Sequence, residues 1–376
     1  MIRICLNLAL TLLLIGCASP QADEPQVLTI GVVAPFSGDY APLGQSVRDA
    51  VLIAAEEWNL EGGVLDYEIQ VVLEDAACDY QTGRGAAEAA IDKGAPLIIG
   101  AVCAKASEGV AQIAMREGVL QITPGAVNLD LTLDIDGEVR PLVYRIPSVD
   151  DDQGRAMARF AQEQLGSDTA AVLYAEESAY GAALAQAFVE AFEAADGEVL
   201  DVETYDPDAE LFFEALDGAR EASPDVLYLP GYHTVANTLV AQARQYGLLM
   251  TFLGSDGWHS AALDRDATLG AYITTHYFPE EPGFLLSRWV RTYEERYLAA
   301  PDALATMSYD AANLLFTAIE AAATTDPVLV AQAMEGITYE GVAGTFTFDE
   351  AHNPVRSVIV MRVDTRGFVY QGRYAP

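Results

Sequence analysis

The sequence predicts an α/β fold of two doubly wound lobes, each a parallel sheet with helices on both faces, with a ligand cleft between them. Three observations carry this. Short β-rich runs alternate with helix-patterned stretches along nearly the whole chain. About five such runs precede Pro147 and four more lie between Ala170 and Ser255, too many for one compact sheet. The polar break SVDDDQG, residues 148–154, separates the two sets and reads as a crossover.

Taken in order, VLTIGVV (27–33) is the first strand, followed by a helix that places Val47, Val51, Ala54 and Trp58 on one face. YEIQVVLED (67–75) is the second strand and residues 81–92 a helix. PLIIGAV (96–102) and VLQIT (119–123) are short apolar runs of the kind a buried parallel strand requires. After the break come AAVLYA (170–175) and a helix with Leu184, Phe188 and Phe192 at four-residue spacing. VLDVETY, DVLYLPG (225–231) and TFLGS (251–255) follow, with helical stretches between them. In open sheets of this kind ligands bind beyond the carboxyl ends of the strands, where loops meet helix N-termini. The loops IGAVCAK, QITPGAV, LYAEESAYG, LPGYH and LGSDGW occupy such positions. On the last of them Asp256 stands beside Trp258, a carboxylate that is either solvated surface charge or the counter-ion for a cationic ligand group.

Composition bounds the function. At 376 residues and 51% apolar content, the chain has ample material for a sizeable core. Its 56 acidic residues against 20 basic ones give a formal charge of −36, which argues against binding nucleic acid or an anionic membrane surface through a basic patch. No GxSxG elbow, GxGxxG turn or GxxxxGK[ST] loop is present, so nothing points to an enzyme or a nucleotide cofactor.

The N-terminus points to export. One positive charge at Arg3 precedes the mostly apolar residues 4–16, a length suited to a signal peptide and short for a membrane span. The stretch ends in Leu14-Ile15-Gly16-Cys17, which resembles a bacterial lipobox whose cysteine is lipidated; an ordinary signal peptide that happens to contain Cys17 is the rival reading. Residues 18–26 are polar and Pro-containing, as a tether would be. The expectation is an extracytoplasmic protein anchored to the membrane by lipid. With Cys5 removed and Cys17 lipidated, Cys78 and Cys103 remain, most simply as a disulfide in an oxidising compartment. A metal pair is the alternative, although the four histidines (His233, His259, His276, His352) show no HExxH spacing.

The ordered set of motifs resembles the leucine/isoleucine/valine-binding protein family, a branch of the type I periplasmic binding proteins. It comprises IGVVAPFSGDYAPLGQSVRDAVLIAAEEWNLEGGV, EDAACD with IGAVCAKAS, ITPGAV, SAYG, GYH, GSDG and MSYDAANLL, and it covers essentially the whole chain from Val27. The resemblance implies a monomer that binds an amino acid between its lobes and hands it to an ABC transporter permease. It also implies three passages between lobes, near Pro147, Tyr277 and Thr347. Residues 27–147 and 278–346 would then form lobe 1, and residues 148–277 and 347–376 lobe 2.

Residue by residue, the resemblance sets Asp256 against the ligand ammonium and lines the second lobe's wall with Tyr180 and Tyr232. Trp258 has no matching family role; following Asp256 closely, it is placed either to cover the ligand or stack on a cation, or simply to pack in the core. The carboxylate end departs from the pattern. Ala104 stands where the family has a serine and Val127, two residues after Gly125, where it has a threonine. The backbone amides there still donate, and a helix N-terminus at Ala104 still favours an anion. Leu43 replaces a cleft tyrosine. The resemblance therefore points to an apolar amino acid. The lost hydroxyls keep open an amide, urea-like or cationic ligand, and a sensor in place of a transport component remains the other alternative.

Overall fold

The computed structural model describes residues 26–260 and 262–376; the signal-like stretch and Cys17 lie outside them. β1 (Gln26–Ala34) leads through α1 (Ala41–Leu60) to β2 (Tyr67–Asp75) and through α2 (Tyr80–Asp92) to β3 (Leu97–Gly100). α3 (Ala104–Glu117) then leads to β4 (Leu120–Thr123), and β5 (Val143–Arg145) completes the first sheet. All five strands pair in parallel, in the order β2-β1-β3-β4-β5.

The second sheet repeats this plan. α4 (Asp150–Glu163) opens it, followed by β6 (Thr169–Ala175), α5 (Ala179–Ala194) and β7 (Glu198–Tyr205). α6 (Phe213–Ala222), β8 (Val226–Leu229), α7 (His233–Gln245), β9 (Thr251–Gly254) and β10 (Tyr272–Thr275) come next. The order β7-β6-β8-β9-β10 is again parallel, so each lobe reverses its winding beside its first strand. That reversal leaves a crevice at the carboxyl ends of the strands.

The chain then returns to the first lobe. α8 (Phe284–Tyr297), α9 (Ala303–Ala322) and α10 (Pro327–Glu335) contribute Trp289, Phe316 and Met334 to the core that also holds Ile30, Ile99 and Ile122. β11 (Tyr339–Gly341), β12 (Gly344–Phe348) and β13 (Pro354–Arg356) form a small antiparallel sheet. β14 (Val358–Asp364) and β15 (Gly367–Tyr374) extend the second sheet to seven strands. The third passage therefore falls between Arg356 and Val358, later than the expected Thr347. The reason is that β12 and β13 pair with each other and Phe346 is buried in the first lobe's core.

Local sequence explains most of these elements. LIIG of β3 and VLYL of β8 are wholly buried, as strands covered on both faces must be, whereas the edge strands β2 and β7 alternate and carry acids. Asp79, Asp302 and Asp326 cap α2, α9 and α10 by accepting first-turn N–H groups, and Pro327 supplies the preset first residue of α10. A disulfide joins Cys78, after β2, to Cys103, the residue before α3, with Cα atoms 5.2 Å apart.

Two arginines tie the three connecting segments together. Buried Arg356 donates to the Ile146 carbonyl at 3.1 Å, on the first passage. Arg373 pairs with Glu281 on the second passage at 2.6 Å and donates to the Ser357 carbonyl on the third at 3.1 Å. Hinges of this kind let two lobes rotate about fixed strands.

Candidate functional site

A cavity of about 390 Å³ lies between the carboxyl ends of the two sheets. Its two walls differ in kind. The first lobe contributes Val102 after β3, Pro124, Gly125 and Val127 after β4, and Ala303, Leu304 and Met307 from the start of α9, with Pro147 at the first passage. No side chain in this group carries a hydrogen-bonding hydroxyl, amide or charge. The second lobe contributes Asp150 at the start of α4, Tyr180 on α5, Tyr232 after β8, Asp256 and Gly257 after β9, and His276 after β10.

Asp256 is the hub of the polar wall. It begins a single 3₁₀ turn that leaves the carboxyl end of β9, and its own N–H donates to the Gln153 Oε1 at 3.2 Å. The Thr274 hydroxyl donates to the same Gln153 oxygen at 2.6 Å, which fixes the orientation of that buried amide. The Tyr180 hydroxyl donates to Asp256 Oδ1, lies 3.0 Å from the Ser255 Oγ and accepts from the Gly257 N–H at 3.3 Å. His276 Nε2 stands 3.5 Å from Asp256 Oδ2 and 3.4 Å from the Gln153 Nε2. Gly257 has to be glycine, since a Cβ there would meet the Gly231 carbonyl oxygen at 2.4 Å.

The electrostatics follow from this packing. Burial alone would raise the Asp256 carboxyl, but hydrogen bonding and charge from His276, with hydrogen bonds from Tyr180 and Gln153, outweigh it and hold the group below its usual value. Asp150 goes the other way. Burial, and then the Asp256 charge, push it up to about 6 against the opposing pull of His276 and Arg145. Tyr180 is pushed well above its ordinary value by burial and by Asp256, so it remains a donor. Its ring stacks on Tyr232 at 5.2 Å between centroids, and Tyr232 is 57% exposed at the mouth of the cleft.

Of the residues singled out from sequence, Asp256, Tyr180, Tyr232, Gly125 and Val127 meet at this cavity. Trp258 does not. It is fully buried in the second lobe's core with Phe252 and Ile273, its indole packed beneath Gly254, so it supports the Asp256 turn from behind. Ala104 is exposed at the first turn of α3 and Leu43 half-buried at the first turn of α1, both outside the cavity wall. Asp150, Gln153 and His276 were not picked out from sequence. The first two lie in SVDDDQG, whose acids resemble solvated loop charge, and a lone histidine carries no motif. Among the described residues no three His, Cys, Asp or Glu side chains converge as a metal site.

Comparison with known proteins adds the following. A family model described as periplasmic binding protein matches residues 27–367. The leucine-, isoleucine-, valine-, threonine- and alanine-binding protein of Pseudomonas aeruginosa is 27% identical over 327 residues, 86% of either chain. The crystal structure of a leucine-binding protein from Thermotoga maritima is 30% identical, with a TM-score of 0.71 over 93% of this chain and 99% of that one. An ABC transporter substrate-binding protein from Desulfitobacterium hafniense, solved with Leu, shares the fold at a TM-score of 0.76 and 24% identity, covering 92% of this chain and 100% of its own.

Proposed function

The chain belongs to the periplasmic binding protein family, in its leucine/isoleucine/valine-binding branch, and on that premise we propose that it is the solute-binding component of an ABC transporter. It is a binding protein and not an enzyme. It acts outside the cytoplasm, held to the membrane through lipid on Cys17, and closes its lobes on a small solute that presents an ammonium group and an apolar body. Branched-chain and other apolar amino acids belong to that ligand class.

One observation carries this reading: the cavity sets an acidic, hydrogen-bonded wall in one lobe against an apolar wall in the other. Asp256, held ionised by Tyr180, Gln153 and His276, receives the ammonium, with Asp150 as a second carboxylate. The stacked rings of Tyr180 and Tyr232 face the solute's body, which Val102, Val127, Leu304 and Met307 cover from the first lobe on closure. The closed form then offers the permease a surface the open form lacks.

Titration calorimetry with leucine, isoleucine and valine on ligand-stripped protein tests the reading, with small-angle scattering to follow compaction. Heat of binding by any of the three together with a smaller radius of gyration supports it. No binding by any of them, or by their amines, refutes it.

A further inference from the structure

We infer that the solute this cleft selects is a carboxylate-free primary amine on a branched aliphatic or aromatic body, held in preference to the corresponding amino acid. The inference rests on the reading of the cleft as the solute site and deepens it by fixing the ligand's charge.

Three observations converge on it. An α-amino acid needs donors for its carboxylate, and the first-lobe wall offers no side-chain donor at all. The backbone at the loop after β4 is largely committed inward. The N–H groups of Gly125 and Ala126 both donate to the Thr123 Oγ1, at 3.3 and 3.1 Å, and that hydroxyl itself donates to the Ala101 carbonyl at 2.5 Å. This leaves the Val127 N–H as the donor of that loop. Ala104, whose amide opens α3, is exposed outside the cavity wall.

Charge points the same way. No lysine or arginine lines the cavity, and Arg145, whose charge acts on Asp150 less than that of His276, is fully buried. A ligand carboxylate would enter a pocket holding two carboxylates, Asp150 and Asp256, whose one facing basic side chain, His276, is already set against Asp256 at 3.5 Å. An ammonium group alone meets both acids, and its three N–H donors suit a pair of acceptors.

Shape completes the case. The side chains opposite the acids, Val102, Pro124, Val127, Leu304 and Met307, are all apolar. Such a surface rewards an apolar tail and penalises any polar group driven against it without a partner. A ligand with one cationic end and one apolar end matches both walls, and a second charge of either sign at the far end does not.

The test is calorimetric titration of the purified protein with four probes of one carbon skeleton: 3-methylbutylamine, leucine, leucinamide and 4-methylpentanoate. The amine and the amide are expected to bind at least tenfold more tightly than leucine, with no heat from 4-methylpentanoate. In Val127→Thr, which supplies one hydroxyl at the cleft face, the preference for amine over leucine is expected to narrow. Leucine binding as tightly as the amine or more tightly would overturn this inference and leave the proposed function standing. Binding of 4-methylpentanoate without the amine, or no binding by any probe to protein whose melting profile is intact, would overturn both.

Discussion

The Tyr180 hydroxyl donates to Asp256 across the start of the cleft, from the first turn of α5 to the turn that leaves β9. The same oxygen accepts from the Gly257 N–H at 3.3 Å, so one phenol fixes both the carboxylate and the backbone beneath it. Tyr180→Phe is therefore expected to weaken binding of an amine-bearing solute about tenfold, the equivalent of about 1.4 kcal/mol for a charge-assisted hydrogen bond. Calorimetric titration of the variant checks this. Unchanged affinity would mean that the hydroxyl only fills space.

Asp150 makes binding depend on pH. Its carboxyl, raised to about 6 by burial and the Asp256 charge, ionises across the range in which Asp256 is already charged. Cation affinity should rise with pH through about 6 and fall by up to about tenfold between pH 7 and 5, with Asp150→Asn flattening the slope. The same shift has the opposite sign for the ligand-free fold. A raised carboxyl adds stability fully present below its unfolded value of 3.8 and lost as pH rises through about 6. Titrations at half-unit pH steps, with melting curves alongside, read both effects. A flat affinity profile in the parent protein would show that Asp150 does not face the ligand.

Trp258 yields a stability prediction in place of the binding role that the sequence left open for it. A Cβ on Gly254 would approach the indole Cδ2 to 2.4 Å. Gly254→Ala should therefore overpack the second lobe by about 1–3 kcal/mol and lower its melting temperature by several degrees in scanning calorimetry. An unaltered melt would remove Trp258 from that position.

The architecture was largely legible because buried parallel strands leave continuous apolar runs, and LIIG and VLYL could hardly be anything else in their context. The five strands before Pro147 and the four between Ala170 and Ser255 match β1–β5 and β6–β9. What followed β9 was harder. β14 and β15 join the second sheet antiparallel from far along the chain, and no local pattern announces such pairing. At the cavity, Asp256 stands out in the sequence as an acid on a glycine-flanked strand end, whereas Tyr180 and Tyr232 come from the family resemblance; all three line the cavity. Trp258 stayed undecided because sequence proximity to Asp256 does not say which side of a 3₁₀ turn a ring takes. Asp150 and His276 became visible only when folding brought the start of α4 and the end of β10 to the same carboxylate.

The Cys78–Cys103 bridge closes a 25-residue separation and pins the start of α3 to the loop after β2. Its reduction should cost about 3 kcal/mol on the chain-entropy estimate. Guanidinium unfolding with and without a thiol reductant, and with the Cys78→Ser/Cys103→Ser double variant, measures this. Coincident midpoints in all three would show the bridge to be stabilising nothing.

The most direct test of the account is the affinity of Asp256→Asn, a near-isosteric change that removes the charge and leaves the turn its hydrogen-bonding atoms. Titrated with leucine and with 3-methylbutylamine beside the parent protein, the variant is predicted to lose about 10–100-fold in affinity for whichever probes bind, in line with the worth of a partly buried charge-assisted contact. Retention of the parent's affinity by the folded variant would contradict the claim that this carboxylate receives the solute's cationic group.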